Sequence, residues 1–240
     1  MYSLINMSIS DEAITFIKSH RRELIDRFCR LSDYPRSLNP FTMFMAGCPG
    51  AGKTEFSKSI IPELQKRDPE QRIVRIDADE IRSMIPQFNG NNAHEVQAAS
   101  AVGVEKIFDH VQDHGQNCIV DGTFAKYNIA HEDIVRSLNK SRKVGIFYLY
   151  QEPLIAWKFT KKRDAIEKRN IPKDAFIESF FASKENVIKI KNEFGDQIEL
   201  NVIIQNEANK AIKTLFNVPT VDKKLGASYT MGPLQKLLVN

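Results

Sequence analysis

The chain is poor in cysteine and tryptophan and has no long apolar run. Its 240 residues hold three cysteines and one tryptophan. Cys29, Cys48 and Cys118 are odd in number and far apart. That spacing argues against a disulfide framework or a zinc site and suits a reduced intracellular protein. No apolar stretch approaches the length of a membrane span. Met1-Tyr2-Ser3-Leu4 lacks the basic-then-apolar layout of a signal peptide. These absences predict a cytoplasmic protein with no membrane partner. No internal repeat or low-complexity segment is present. Neither sign of charge dominates: 34 Lys and Arg face 30 Asp and Glu, for a net +4. That small excess suits anionic small substrates and is too weak to argue for nucleic acid. A 42% hydrophobic content supplies a core for one globular domain.

Against this ordinary background one stretch stands out. Gly47-Cys48-Pro49-Gly50-Ala51-Gly52-Lys53-Thr54 matches the phosphate-binding loop G-x-x-x-x-G-K-[ST] in full. The apolar run Phe41-Thr42-Met43-Phe44-Met45-Ala46 before it reads as a buried strand, and Thr54 to Ser59 as the first turns of a helix. Glycines let the backbone turn tightly and bring its N–H groups to phosphate oxygens. The following helix adds the positive end of its dipole. Lys53 is suited to reach the outer phosphates and Thr54 to hold Mg²⁺. Nucleoside triphosphate binding, with ATP and Mg²⁺ as cofactors, is the expectation.

Around this loop, apolar runs alternate with helical periods. Ser10 to Leu31 predicts one amphipathic helix capped by Ser10. Pro62 kinks or divides the helix after the loop. Arg72 to Ile76 predicts a second strand, and Ile81 to Ile85 a short helix. Gln87 to Asn92 reads as a loop, and His94 to His114 as a long helix. Asn117 to Val120 predicts a third strand, Ile129 to Leu138 a helix, and Lys143 to Tyr150 a fourth strand. Helices follow over Pro153 to Arg169 and Asp174 to Phe194. Ile198 to Ile204 predicts the fifth strand and Lys210 to Phe216 a short helix. The resulting fold class is α/β, a P-loop NTPase/kinase-type three-layer sandwich with a mostly parallel five-stranded sheet. Residues 1–40 form an N-terminal helical extension, 41–216 the kinase domain and 217–240 a tail that wraps the domain or stays mobile.

In such sheets the ligand lies at the carboxyl edge of the strands. Three polar groups follow strand ends: the loop, Asp77/Asp79, and Asp121-Gly122-Thr123. A carboxylate after an apolar strand, as at Asp121, is the pattern that holds Mg²⁺ or its waters. Asp79 is placed to take a proton from a substrate hydroxyl, and equally to cap the helix that follows. Spacing does not separate its role from that of Asp77. The segment Pro153 to Arg169 carries Lys158, Lys161, Lys162, Arg163, Lys168 and Arg169. Phosphoryl transfer needs positive charge beyond Lys53 and Mg²⁺, and Arg163 and Arg169 are its candidates. Glu105 by itself reads as a surface carboxylate. No aromatic-plus-basic platform for bases is present.

Taken together, Gly47 to Thr54, Ile76-Asp77-Ala78-Asp79, Val104-Glu105, Val120-Asp121-Gly122-Thr123, Arg163 and Arg169 resemble the zeta toxin family in order and approximate spacing. The similarity runs from Phe41 to Gln205. It implies an ATP-dependent kinase acting on a nucleotide sugar. Family members phosphorylate the 3′-hydroxyl of the amino sugar in UDP-N-acetylglucosamine and so block cell-wall synthesis. By position, Asp79 matches the family's base, Lys53 its loop lysine, and Arg163 and Arg169 the arginines on the transferring phosphate. Glu105 and Thr123 match positions lining the substrate cleft, with Asp77 beside them. Asp121 stands where a family toxin carries glutamate. The resemblance also implies an antitoxin partner, or inhibition in cis by the N-terminal helix.

Overall fold

The computed structural model describes residues 7–167, 171–223 and 225–239. Six strands form one sheet: β1 (Phe41–Ala46), β2 (Ile73–Asp77), β3 (Asn117–Asp121), β4 (Lys143–Tyr150), β5 (Ile198–Gln205) and β6 (Ala211–Leu215). Their spatial order is β2-β3-β1-β4-β5-β6. The first five are parallel, and β6 runs antiparallel to β5. The chain leaves β1 toward β2, returns through β3, then continues on the far side through β4. The direction therefore reverses at β1, and a crevice opens beyond the carboxyl ends of β1 and β3.

Period-two burial explains the layers. Phe44 and Ala46 face one side of β1 and Phe41 and Met45 the other. On the first side pack α1 (Ile9–Ser19), α2 (Arg21–Phe28), α5 (Gln97–His114) and α6 (Tyr127–Asn139). On the second pack α3 (Lys53–Arg67), α7 (Pro153–Glu167) and α9 (Met231–Leu237). The 22-residue α8 (Lys173–Phe194) joins both layers, with Phe176 and Phe180 in one cluster and Val187 and Ile190 in the other. The short α4 (Ala78–Arg82) follows β2 directly.

Several expectations are corrected. The sheet has six strands: Ala211 to Leu215 is a strand, where a short helix over Lys210 to Phe216 was predicted. Asn206 closes the hairpin, its Oδ1 accepting from the N–H groups of Ala208 and Lys210, and Asn209 adopts a left-handed φ of 53°. The leading helix is two helices with Ser8, not Ser10, as its cap. They part at His20, where the Ser19 hydroxyl donates to the carbonyls of Thr15 and Phe16 and competes with the helical ladder. Ala13, Ile17, Leu24 and Cys29 are fully buried in the main cluster, so these helices belong to the core. Pro62 sits inside α3 without dividing it. The tail wraps the domain: Leu234 and Leu238 are buried, and the Trp157 indole Nε1 donates to the Val239 carbonyl at 2.7 Å.

The face of α6 against α5 carries a charge hub. Arg136 donates to Glu105 at 2.6 Å, to Asp133 at 3.2 Å and to Asp109. Burial, then the charge of Glu105, raise the Asp133 carboxyl from 3.8 to about 7. The unfolded chain loses that proton first, so this group erodes stability as pH climbs from 3.8 to about 7. Asp133→Asn is expected to stabilise the fold by about 1 kcal/mol above neutral pH and to do little near pH 4. Urea unfolding at both values checks this. An equal effect at both would contradict it.

Candidate active site

β1 ends in the phosphate loop, and the loop's shape rests on its glycines. Gly50 has a φ of +74°, and a Cβ there would lie 2.0 Å from the Ala156 carbonyl oxygen of α7. Gly52, at φ +72°, is the left-handed cap from which α3 starts. Only glycine meets both demands without strain. Pro49, Gly50, Gly52, Lys53 and Thr54 line a cleft of about 510 Å³. Cys48 and Ala51 lie buried behind it. The Lys53 ammonium donates to the carbonyls of Gly47 at 2.9 Å and Cys48 at 2.7 Å. Burial pushes the Cys48 thiol up to about 12, so it stays neutral.

The second wall comes from β2 and β3. Asp77 and Asp121 are register partners at the carboxyl ends. Arg75, on the same face of β2, places one Nη1 at 2.7 Å from both carboxylates and also binds Glu80. Asp121 further accepts from the Ser57 hydroxyl at 2.9 Å. Burial, and next the charge of Asp77, still push the Asp121 carboxyl above its ordinary range, against Lys53, Ser57 and Arg75.

Geometry separates the two aspartates that spacing left equivalent. Asp77 caps α4, its Oδ1 accepting from the Asp79 N–H at 2.8 Å. Asp79 lies inside the first turn with its side chain 23% exposed toward the cleft. Its Oδ1 accepts from Arg82 Nη1 at 2.7 Å and its Oδ2 from Arg163 Nη2 at 3.4 Å. Arg163 comes from α7, 84 residues along the chain.

The cleft thus gathers Lys53, Thr54, Asp77, Asp79, Asp121, Thr123 and Arg163. Thr123 also accepts the Gly47 N–H through its carbonyl at 3.1 Å. Glu105 is absent from the cleft lining and is half exposed on α5, bound to Arg136. Arg169 lies outside the described residues. Among the described residues, nothing before Phe41 lines the cleft, so the N-terminal helices do not cover it. Sequence reading missed Arg75, Arg82, Gln97 and Asn209. Arg82 was detectable three residues after Asp79, on the same helix face.

The sequence pattern of the zeta toxin family matches residues 26–215. The chain belongs to the zeta toxin family. A chain from the PezAT chromosomal toxin–antitoxin system of Streptococcus pneumoniae superposes with a TM-score of 0.69 at 16% identity, covering 93% of this chain and 94% of that one. The AvrRxo1-ORF1:AvrRxo1-ORF2 structure with sulphate ions matches at 0.60 and 13% identity, over 87% of this chain and 66% of the other. The same complex with ATP matches at 0.56 and 13%, over 87% and 64%. The chain therefore spans about two thirds of that second neighbour. These likenesses show the fold. No curated protein matches the sequence. In this zeta toxin fold, Gly50→Ala is expected to weaken ATP binding by about tenfold or more, because the loop must move off α7. Calorimetric titration with ATP checks it, and unchanged affinity would refute the packing argument.

Proposed function

We propose that this chain is an ATP-dependent phosphotransferase with an alcohol acceptor, and that the acceptor is a nucleotide sugar of the UDP-N-acetylglucosamine type. The observation that carries the reading is the contact between Asp79 and Arg163 in the cleft of the phosphate loop. In this reaction the acceptor hydroxyl gives its proton to Asp79 as its oxygen bonds to the γ-phosphorus. The bond from that phosphorus to the β-γ bridging oxygen breaks, and ADP leaves with the electron pair. Lys53 exchanges its two loop carbonyls for phosphate oxygens. Arg163, with Arg169 by family position, stabilises charge on the moving group.

The donor set suits Mg²⁺. Thr54 and Asp121 offer hard oxygen ligands beside the loop. Among the described residues no cluster of three or more His, Cys, Asp or Glu could hold a metal alone. Thr54 and Asp121 would hold the ion, which would supply neutralisation of phosphate charge. Thr123 and Asp77 face the substrate side. Glu105 would need to leave Arg136 to join them. The PezAT and AvrRxo1 names, a toxin–antitoxin system and a two-component complex, support an antitoxin partner. No helix among the described residues is long and apolar enough to cross a membrane, which fits a cytoplasmic site of action.

Mg-ATP with a panel of UDP-sugars, read by mass, tests the reading. One added phosphate on a UDP-sugar is the expected product. Label on oligonucleotide ends, or ATP binding with no product, would overturn it. Asp79→Ala is expected to lower turnover on the order of a hundredfold with ATP affinity kept, and Lys53→Ala to lower both.

A further inference from the structure

Arg82 has no role in the reading above, yet it is the most confined cation of the cleft. Its side chain is 6% exposed. One arm, Nη1, holds Asp79 Oδ1 at 2.7 Å. The other, Nη2, donates to Gln97 Oε1 at 2.8 Å at the start of α5. The guanidinium carbon lies 6.0 Å from the Phe88 ring centroid, and Nε is buried with no partner. On an exposed helix an i,i+3 pair contributes a few tenths of a kcal/mol and restrains little. Here burial removes the competing water, and Gln97 fixes the plane of the fork. A guanidinium held at both ends admits few carboxylate orientations at Asp79.

We infer that Arg82 is a positioning residue: it sets the direction in which Asp79 presents its carboxylate to the acceptor hydroxyl, and Gln97 holds Arg82 in place. This rests on the proposed phosphoryl transfer with Asp79 as base. Misplacing a reacting group by about 1 Å costs on the order of a hundredfold in rate. Arg82 lines the cleft one contact behind Asp79, and the effect inferred for it travels through Asp79. Arg163 has a different geometry: it reaches Asp79 from α7, at the longer distance of 3.4 Å.

The test is a double-mutant cycle on the full chain, assayed with the UDP-sugar that the panel identifies. Arg82→Ala is expected to lower kcat on the order of a hundredfold while KM for ATP stays within about threefold. In the Asp79→Ala background the same change is expected to cost nothing further, since the group it orients is gone. Arg82→Lys keeps the charge but not the second arm, and it and Gln97→Ala are each expected to lose about tenfold. Millimolar guanidinium should return part of the activity of Arg82→Ala and none of that of Asp79→Ala. Losses that multiply in the double variant, or wild-type kcat in Arg82→Ala, would overturn the inference. Should Arg82→Ala fail to fold, Arg82→Lys and Gln97→Ala both within about twofold of wild type would do the same. A wild-type protein that phosphorylates no acceptor contradicts the function, not this geometry. Crystal structures of wild type and Arg82→Lys then decide. A turned Asp79 carboxylate supports the inference, and an unmoved one refutes it.

Discussion

The cleft depends on one guanidinium shared by two carboxylates. Asp77 and Asp121 end neighbouring parallel strands in register, which sets two acids side by side in a buried place. Alone they would repel, and one would hold its proton. Arg75 lies two residues before Asp77, on the same face of β2, and binds both at 2.7 Å. Such a buried cluster is poor evidence of added stability, because desolvation offsets the attraction. Its value lies in what it fixes. With Oδ2 of Asp77 tied to Arg75, Oδ1 caps α4, and the first turn of that helix carries Asp79. The direction of the candidate base therefore descends from a charge pairing at the strand ends.

The opposite wall is fixed by close packing. Gly50 meets the Ala156 carbonyl and Thr160 of α7 with no room for a side chain. Glu152 begins that helix, its Oε2 accepting from the N–H groups of Leu154 and Ile155, and its other oxygen binds the Tyr229 hydroxyl. The segment after Phe216 thus braces the helix that carries Arg163. Leu234 and Leu238 of the same segment are buried against the layer that holds α7.

What was legible in the sequence follows from how local each signal is. The phosphate loop is contiguous and its glycines are demanded by geometry within eight residues, so it was read without structure. The parallel strands β1 to β5 were legible as apolar runs because both faces are covered. β6 was not: four of its five residues are exposed, so no burial pattern marked it, and its pairing is set by the Asn206 turn. The equivalence of Asp77 and Asp79 broke only when the helix start was known. Arg75 is a lone charge within the apolar run of β2. Its partners lie at positions 77, 80 and 121, and the last is beyond any local window. Glu105 lies outside the cleft lining and is bound to Arg136, 31 residues on, a pairing no local window shows.

In the resting cleft Lys53 and Arg163 hold partners that a phosphate can replace. Lys53 is bound to the neutral carbonyls of Gly47 and Cys48, and a charged phosphate oxygen makes a stronger hydrogen bond than either. Asp79 has two arginines of unequal hold: Arg82 at 2.7 Å from its own helix, Arg163 at 3.4 Å from across the cleft. A triphosphate in the loop would draw Arg163 toward its terminal phosphate and leave Arg82 in place, since Arg82 is buried and braced by Gln97. Asp79 would then lose its contact with Arg163 and keep the one with Arg82.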